Sequence, residues 1–203
     1  HPEAGEAEDE HQHGRGQGGG QRQRQGHPQQ RAPAPRPEGG GRLLQPRRHA
    51  LEEAGDPVLG VIHFPALGET VWAARGEGCW WDGRRASVSD VAKLEDALVV
   101  TSDAESHAAE GRGAGWDRLR ADAGLVRTWG DCYGYALVAT GRAEAMLDPI
   151  LSVWDAAAVR PVIEEAGGVF TDWTGEATHT AGHAVATNAA LADEVRRRLT
   201  DER

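Results

Sequence analysis

From Pro57 onward, short apolar runs alternate with turn residues, and each run has the length of one strand or one helix. Val58–Phe64 reads as a strand stopped by Pro65, and Thr70–Ala74 as a second. Gly78–Trp81 and Arg84–Val88 flank Asp82-Gly83, a dipeptide suited to the positive backbone angles of a tight hairpin. These pieces predict an antiparallel meander in which Trp72, Trp80 and Trp81 serve core and sheet surface.

Beyond the meander the period changes. Ala97–Thr101 reads as a buried strand, Ser102–Gly115 as a mobile polar loop, Trp116–Ala121 as a short helix, and Leu125–Thr128 as a strand. Gly130-Asp131 opens a helix running to Gly141, with Cys132, Ala136, Leu137, Ala139 and Thr140 toward a sheet. Ala145–Leu147 then returns as a strand with Asp148 at its end. In the next run Trp154, Ala157, Ala158, Val162, Ile163 and Ala166 recur at helical spacing before Gly167-Gly168. That predicts one buried helix with Trp154 in the core and Asp155 as the carboxylate of its first turn. Strand Val169–Thr171, a turn at Asp172–Gly175, strand Ala184–Thr187 and a last helix capped by Asn188 complete the chain. Alternating strand and helix argue for a layered α/β sheet.

Composition divides the 203 residues near His49. Residues 1–49 are Gly, Gln, Arg, His and Pro, with Leu43 and Leu44 almost their sole apolar side chains. Such a segment cannot bury a core and is expected to be disordered, leaving 50–203 as the folded portion. It carries eight Arg against six acids, whereas residues 50–203 carry fourteen basic residues against twenty-six acids. Its acids cluster beside His11 and His13 and no aromatic is interleaved, which argues against both a nucleic-acid arm and a histidine metal site. Out-of-frame translation is a further reading. The chain has one Lys, Lys93, against twenty-one Arg, as GC-rich coding DNA produces, and it opens on His1 rather than Met.

The net charge of −10 argues against a polyanionic partner such as nucleic acid. No run is long enough for a membrane helix and no signal peptide is visible, so no membrane association and a cytoplasmic setting are expected. Cys79 and Cys132 are isolated, as suits reduced thiols. Neither a Gly-x-x-x-x-Gly-Lys loop nor a Gly-x-Ser-x-Gly elbow occurs.

The residues Trp154-Asp155-Ala156-Ala157, followed by Glu164-Glu165-Ala166-Gly167-Gly168 and Asp172, resemble the second signature of the inositol monophosphatase superfamily. Arg127-Thr-Trp-Gly-Asp-Cys-Tyr-Gly-Tyr135, then Leu137-Val-Ala-Thr-Gly-Arg-Ala-Glu144, is closer to its histidinol-phosphate phosphatase branch. The resemblance runs from about Ala50 to the C-terminus. It implies an αβαβα layered sandwich lacking its N-terminal part, and a Mg²⁺-dependent hydrolase of a small phosphomonoester in histidine biosynthesis. Inositol 1-phosphate is the alternative substrate, and a homodimer is a candidate assembly. By the same resemblance Asp155 is a metal ligand and catalytic residue in contact with substrate, and Asp148 meets the substrate's hydroxyl or amino group. Arg127 and Asp131 flank a loop that faces it. Read on their own, Arg127 and Asp131 are surface charges or a helix cap, and Asp155 is equally a helix-end charge.

The family draws its other metal ligands from a Glu-Glu pair and an Asp-Pro-x-Asp-Gly-Thr loop. Neither has a counterpart here: Asp56-Pro57 lacks the following Asp-Gly-Thr, and Asp148-Pro149 continues Ile-Leu-Ser. The expectation is therefore the C-terminal half to two-thirds of a phosphatase, impaired by truncation, with an inactive or binding-only remnant as the non-enzyme reading.

Overall fold

The computed structural model describes residues 45–130 and 132–200. The expected disorder of residues 1–44 and the substrate role expected of Asp131 lie outside them. The expected boundary near His49 falls inside a strand, because Arg47, Arg48 and His49 already pair in β1.

The first half is an antiparallel meander of five strands in sequence order: β1 (Arg47–Glu53), β2 (Asp56–Phe64), β3 (Glu69–Ala74), β4 (Gly78–Trp81) and β5 (Arg84–Ala86). The turn between β4 and β5 holds Asp82 at φ 48° and Gly83 at φ 77°, as the Asp-Gly pair predicts. Side chains alternate across the sheet. Gly60, Ile62, Phe64, Val71, Ala73 and Cys79 take the inner face. On the outer face Val61 is opposite Trp72, and Trp72 stacks on Trp80 at 6.0 Å between centroids.

The second half builds a mixed sheet in the order β7-β6-β8-β10-β9. Its strands are β6 (Leu98–Thr101), β7 (Leu125–Thr128), β8 (Ala145–Asp148), β9 (Val169–Thr171) and β10 (Ala184–Thr187). β6 is parallel to both β7 and β8, while β10 is antiparallel to β8 and β9. Both faces are covered, so consecutive residues enter different cores. Val100, Met146, Phe170, Ala184 and Ala186 join the core shared with the meander. Val99, Ala145, Leu147 and Val185 join the opposite one.

Between the sheets lie α3 (Tyr133–Ala139) and α4 (Val153–Glu165). On the far face of the mixed sheet lie α2 (Gly113–Asp122) and α5 (Ala192–Thr200), which contribute Trp116, Leu119 and Val195 to the second core. The described residues thus form four layers, sheet, helices, sheet, helices, of an αβαβα sandwich. No described helix lies over the outer face of the meander. Among the described residues, no helix is long and apolar enough to cross a membrane.

Two expectations need correction. Trp154 is 71% exposed rather than core. It is in phase with Ala157 and Ala158, but it occupies the first turn of α4, where the described residues leave it uncovered. The polar run Ser102–Gly115 contains α1 (Ser106–Ala109) and the start of α2, and it buries His107 completely. His107 lies 4.5 Å from the Trp116 ring, stacked, and bonds the Thr101 hydroxyl at 2.8 Å. A lone histidine in a polar segment carries no periodic signal, so this anchor was not legible.

Candidate functional site

The strand order itself selects one edge of the molecule. From β6 the chain passes to β7 through α1 and α2 on one face, then returns across β6 to β8 through α3 on the other. Open α/β sheets bind ligands outside the carboxyl ends of strands where the winding direction reverses. The residues at that place are Ser102, just after β6, and Asp148, the last residue of β8. Strand alternation puts both on the face that carries Val100 and Met146, toward α3 and α4.

A cavity of about 180 Å³ opens there, lined by Arg48, Ser102, Cys132, Tyr135, Asp148, Ile150, Leu151, Asp155 and Val159. Asp148 is 6% exposed and its carboxylate accepts from the Ser102 hydroxyl and, at 3.3 Å, from the Tyr135 hydroxyl. Burial is the largest influence on it and pushes its pKa up from 3.8 to about 6, against the two hydroxyl donors. The nearby Asp155 charge pushes the same way and Arg48 opposes it. Tyr135 is also held well above the ordinary phenol range, first by burial and then by Asp148.

Asp155 is the third residue of α4. Its N–H and that of Ala156 donate to the carbonyl of Ser152, and Leu151 is fastened by donating to the carbonyl of Gly182 at 2.7 Å. A carboxylate in this first turn is favoured by the unpaired N–H groups and the helix dipole. Its cationic partner is Arg48, whose Nε is 3.0 Å from Asp155 Oδ1. Arg48 arrives from the other sheet: it pairs with Ile62 in the register, and Ile62 faces inward, so Arg48 points toward α4.

The structure therefore gathers Asp148 and Asp155 in one cavity. Arg127 is not among its lining residues. It is exposed on the edge strand β7 and donates to the carbonyl of Val126 at 2.7 Å. The neighbouring Trp129 stacks on Tyr133 at 5.5 Å, beside an apolar groove formed with Phe64, Ala66 and Leu67. Asp172 serves its own turn, accepting from the N–H groups of Thr174 and Glu176 at 2.8 and 2.9 Å. Cys79 and Cys132 are buried and neither forms a disulfide.

Sequence reasoning missed Ser102, Tyr135 and Arg48 as members of the site. A signal was available for Ser102, a hydroxyl immediately after a strand predicted to be buried, and for Tyr135, the last residue of the run that resembles the histidinol-phosphate branch.

Mg²⁺ asks for near-octahedral coordination by oxygen, part of it from water. The cavity offers the carboxylates of Asp148 and Asp155, one of them already bonded to a guanidinium. Among the described residues, no group of three or more His, Cys, Asp or Glu is arranged to hold a metal ion. The donor set of the described residues does not fit Mg²⁺.

Comparison with known proteins bears on the whole of this region. The model of the inositol monophosphatase family matches residues 50–202. The histidinol-phosphatase of Chlorobaculum parvum is 50% identical over 126 residues, which is 62% of this chain and 49% of that protein. The histidinol-phosphatase of Mycobacterium tuberculosis is 43% identical over 155 residues, 74% of this chain and 60% of that protein. Among solved structures, an inositol monophosphatase from Zymomonas mobilis superposes with a TM-score of 0.73 at 26% identity, covering 78% of this chain and 64% of the other. The chain spans about half to three-fifths of the length of the two histidinol-phosphatases.

Proposed function

Because the chain belongs to the inositol monophosphatase family, we propose that it is the substrate-facing portion of a phosphoric monoester hydrolase acting on histidinol phosphate. The reaction is hydrolysis of the ester P–O bond by water, releasing the aminoalcohol and inorganic phosphate. What supports the reading is the meeting of Asp148 and Asp155 in one cavity at the carboxyl ends of β6 and β8. The histidinol-phosphatase names of the two relatives described above point the same way.

In this reading Asp148 receives the substrate's amino or hydroxyl group. Its carboxylate is fixed by Ser102 and Tyr135, so an incoming ammonium meets an acceptor already oriented. Above a pH of about 6 the group is ionised and attracts that cation; below it, the attraction fades. Asp155 holds the other end of the site at the start of α4. Mg²⁺ is the cofactor the resemblance implies, with Asp155 as one of its ligands. The further carboxylates such an ion requires belong to the Glu-Glu and Asp-Pro-x-Asp-Gly-Thr elements, so no step is assigned to the metal on the residues present here. Arg127 and Asp131 are retained as residues that flank a loop facing the substrate.

The experiment joins residues 50–203 to the N-terminal half of the Chlorobaculum parvum relative and compares substrates. Specificity is a ratio of kcat/KM values. The hybrid is expected to hydrolyse histidinol phosphate at least about tenfold better by kcat/KM than inositol 1-phosphate, the size of effect that one well-placed polar contact supplies. Equal values would rule out the histidinol-phosphate assignment and leave the inositol-phosphate one.

A further inference from the structure

We infer that the Arg48 guanidinium is the resident cation of the Asp148/Asp155 cavity in this chain and that it keeps divalent metal off those carboxylates. The inference rests on the phosphatase reading only in naming a divalent metal as the cation kept out.

Arg48 reaches the cavity by register, not by chance orientation of a surface side chain. Its partner in β2, Ile62, is fully buried on the inner face of the meander, and Arg48 follows it inward. The guanidinium then meets Asp155 at 3.0 Å, with side-chain exposures of 26% for the arginine and 19% for the aspartate. It also lines the same cavity as Asp148 and acts on the Asp148 charge. A pair this sheltered is screened less by salt than a surface pair, and the planar fork of arginine matches a carboxylate edge.

The cavity therefore already contains the positive charge that its carboxylates call for. A divalent ion entering it would have to displace the guanidinium from Asp155 and would then feel repulsion from it at a few ångströms. Arg48 lies outside residues 50–202, the part that matches the family model. The contact is set by the register of β1.

The test is Mn²⁺ binding, followed by electron paramagnetic resonance of the free ion. Mn²⁺ takes the same oxygen ligands as Mg²⁺. The proteins are the full chain, Arg48→Met, Arg48→Gln, Asp155→Asn and the double variant Arg48→Met/Asp155→Asn. When a closed form competes, apparent affinity scales with the open fraction, so removing Arg48 is expected to tighten Mn²⁺ binding by about tenfold or more. Asp155→Asn alone should leave the weak binding of the full chain unchanged. In the double variant it should abolish the gain.

Equal affinity of the full chain and Arg48→Met, or a gain that survives in the double variant, would overturn the inference. Should neither Arg48 variant fold, the Arg48 Nε–H resonance of the unaltered chain decides it. That resonance is expected to stay sharp at equimolar Mn²⁺, and broadening there contradicts the inference. The phosphatase reading is judged separately, because the hybrid used for it begins at residue 50 and lacks Arg48.

Discussion

Asp148 carries a pH signature at the centre of the cavity. Its pKa stands at about 6 in the fold against 3.8 in the open chain, so its protonated form is the one the fold prefers. The stability it contributes is complete below a pH of about 4 and is lost as pH rises through 6, amounting to about 3 kcal/mol at 1.4 kcal/mol per unit. Asp148→Asn does not titrate. Relative to that variant the unaltered chain should gain about 2 kcal/mol between pH 7 and pH 4, most of the full difference, read from urea unfolding at each pH. A difference that stays constant across the range contradicts the burial of this carboxylate. At this scale the resemblance brought Asp148 and Asp155 forward, Asp155 inside a local motif and Asp148 at the end of a predicted strand. Arg48 was not, because its segment was classed by composition and its role comes from pairing with β2, a contact that no local pattern encodes.

Elements are held by close approach as much as by apolar area. Gly60 in β2 crosses α4 so tightly that a Cβ there would sit 2.0 Å from the carbonyl oxygen of Ala158 and 3.4 Å from a Val162 methyl. Neither the helix backbone nor β2, paired on both sides, can retreat cheaply. Gly60→Ala should therefore cost about 3 kcal/mol, seen as a lower denaturant midpoint with unchanged slope, and an unchanged midpoint would show that the β2–α4 crossing is looser than described. Strands β2 to β10 were legible to within a residue or two, since short β-branched runs between turn residues have few alternatives, whereas β1 carries no such run and was not foreseen. Helix burial was less so. Trp154 shares the apolar phase of α4, yet phase says nothing about where along its axis the covering layers end. α1 and α2 begin within a polar run, where His107, rather than an apolar stripe, supplies the anchor.

For the whole molecule, the alternation of elements foretold the layered α/β order, whereas the boundary expected near His49 falls inside β1. The count of layers came from the family resemblance alone, because each layer is completed by contacts far apart in sequence. Leu59, Val61, Trp72 and Trp80 remain half-buried on the outer face of the meander, with no described helix over them. In the hybrid carrying the relative's N-terminal half, the fifth layer should cover that face. A hydrophobic dye such as anilinonaphthalene sulfonate should then bind less per molecule than it does to this chain. Equal binding would place the added half elsewhere.

The claim on which the functional reading turns is that Asp155 belongs to the reacting site and is not a helix-end charge. As a helix-end charge it is worth about 0.3–1 kcal/mol of stability and nothing in turnover. As a site residue, its replacement by Asn preserves size and much of the helix-start bonding but removes a charge that a divalent ion needs. The direct measurement is kcat for histidinol phosphate in the hybrid with and without Asp155→Asn, alongside Tm without metal. The expected result is a loss of about two orders of magnitude or more in kcat, beyond the roughly 2.7 kcal/mol such a factor represents, with Tm moved by only a few degrees. Near-normal turnover in the Asp155→Asn hybrid would contradict the account.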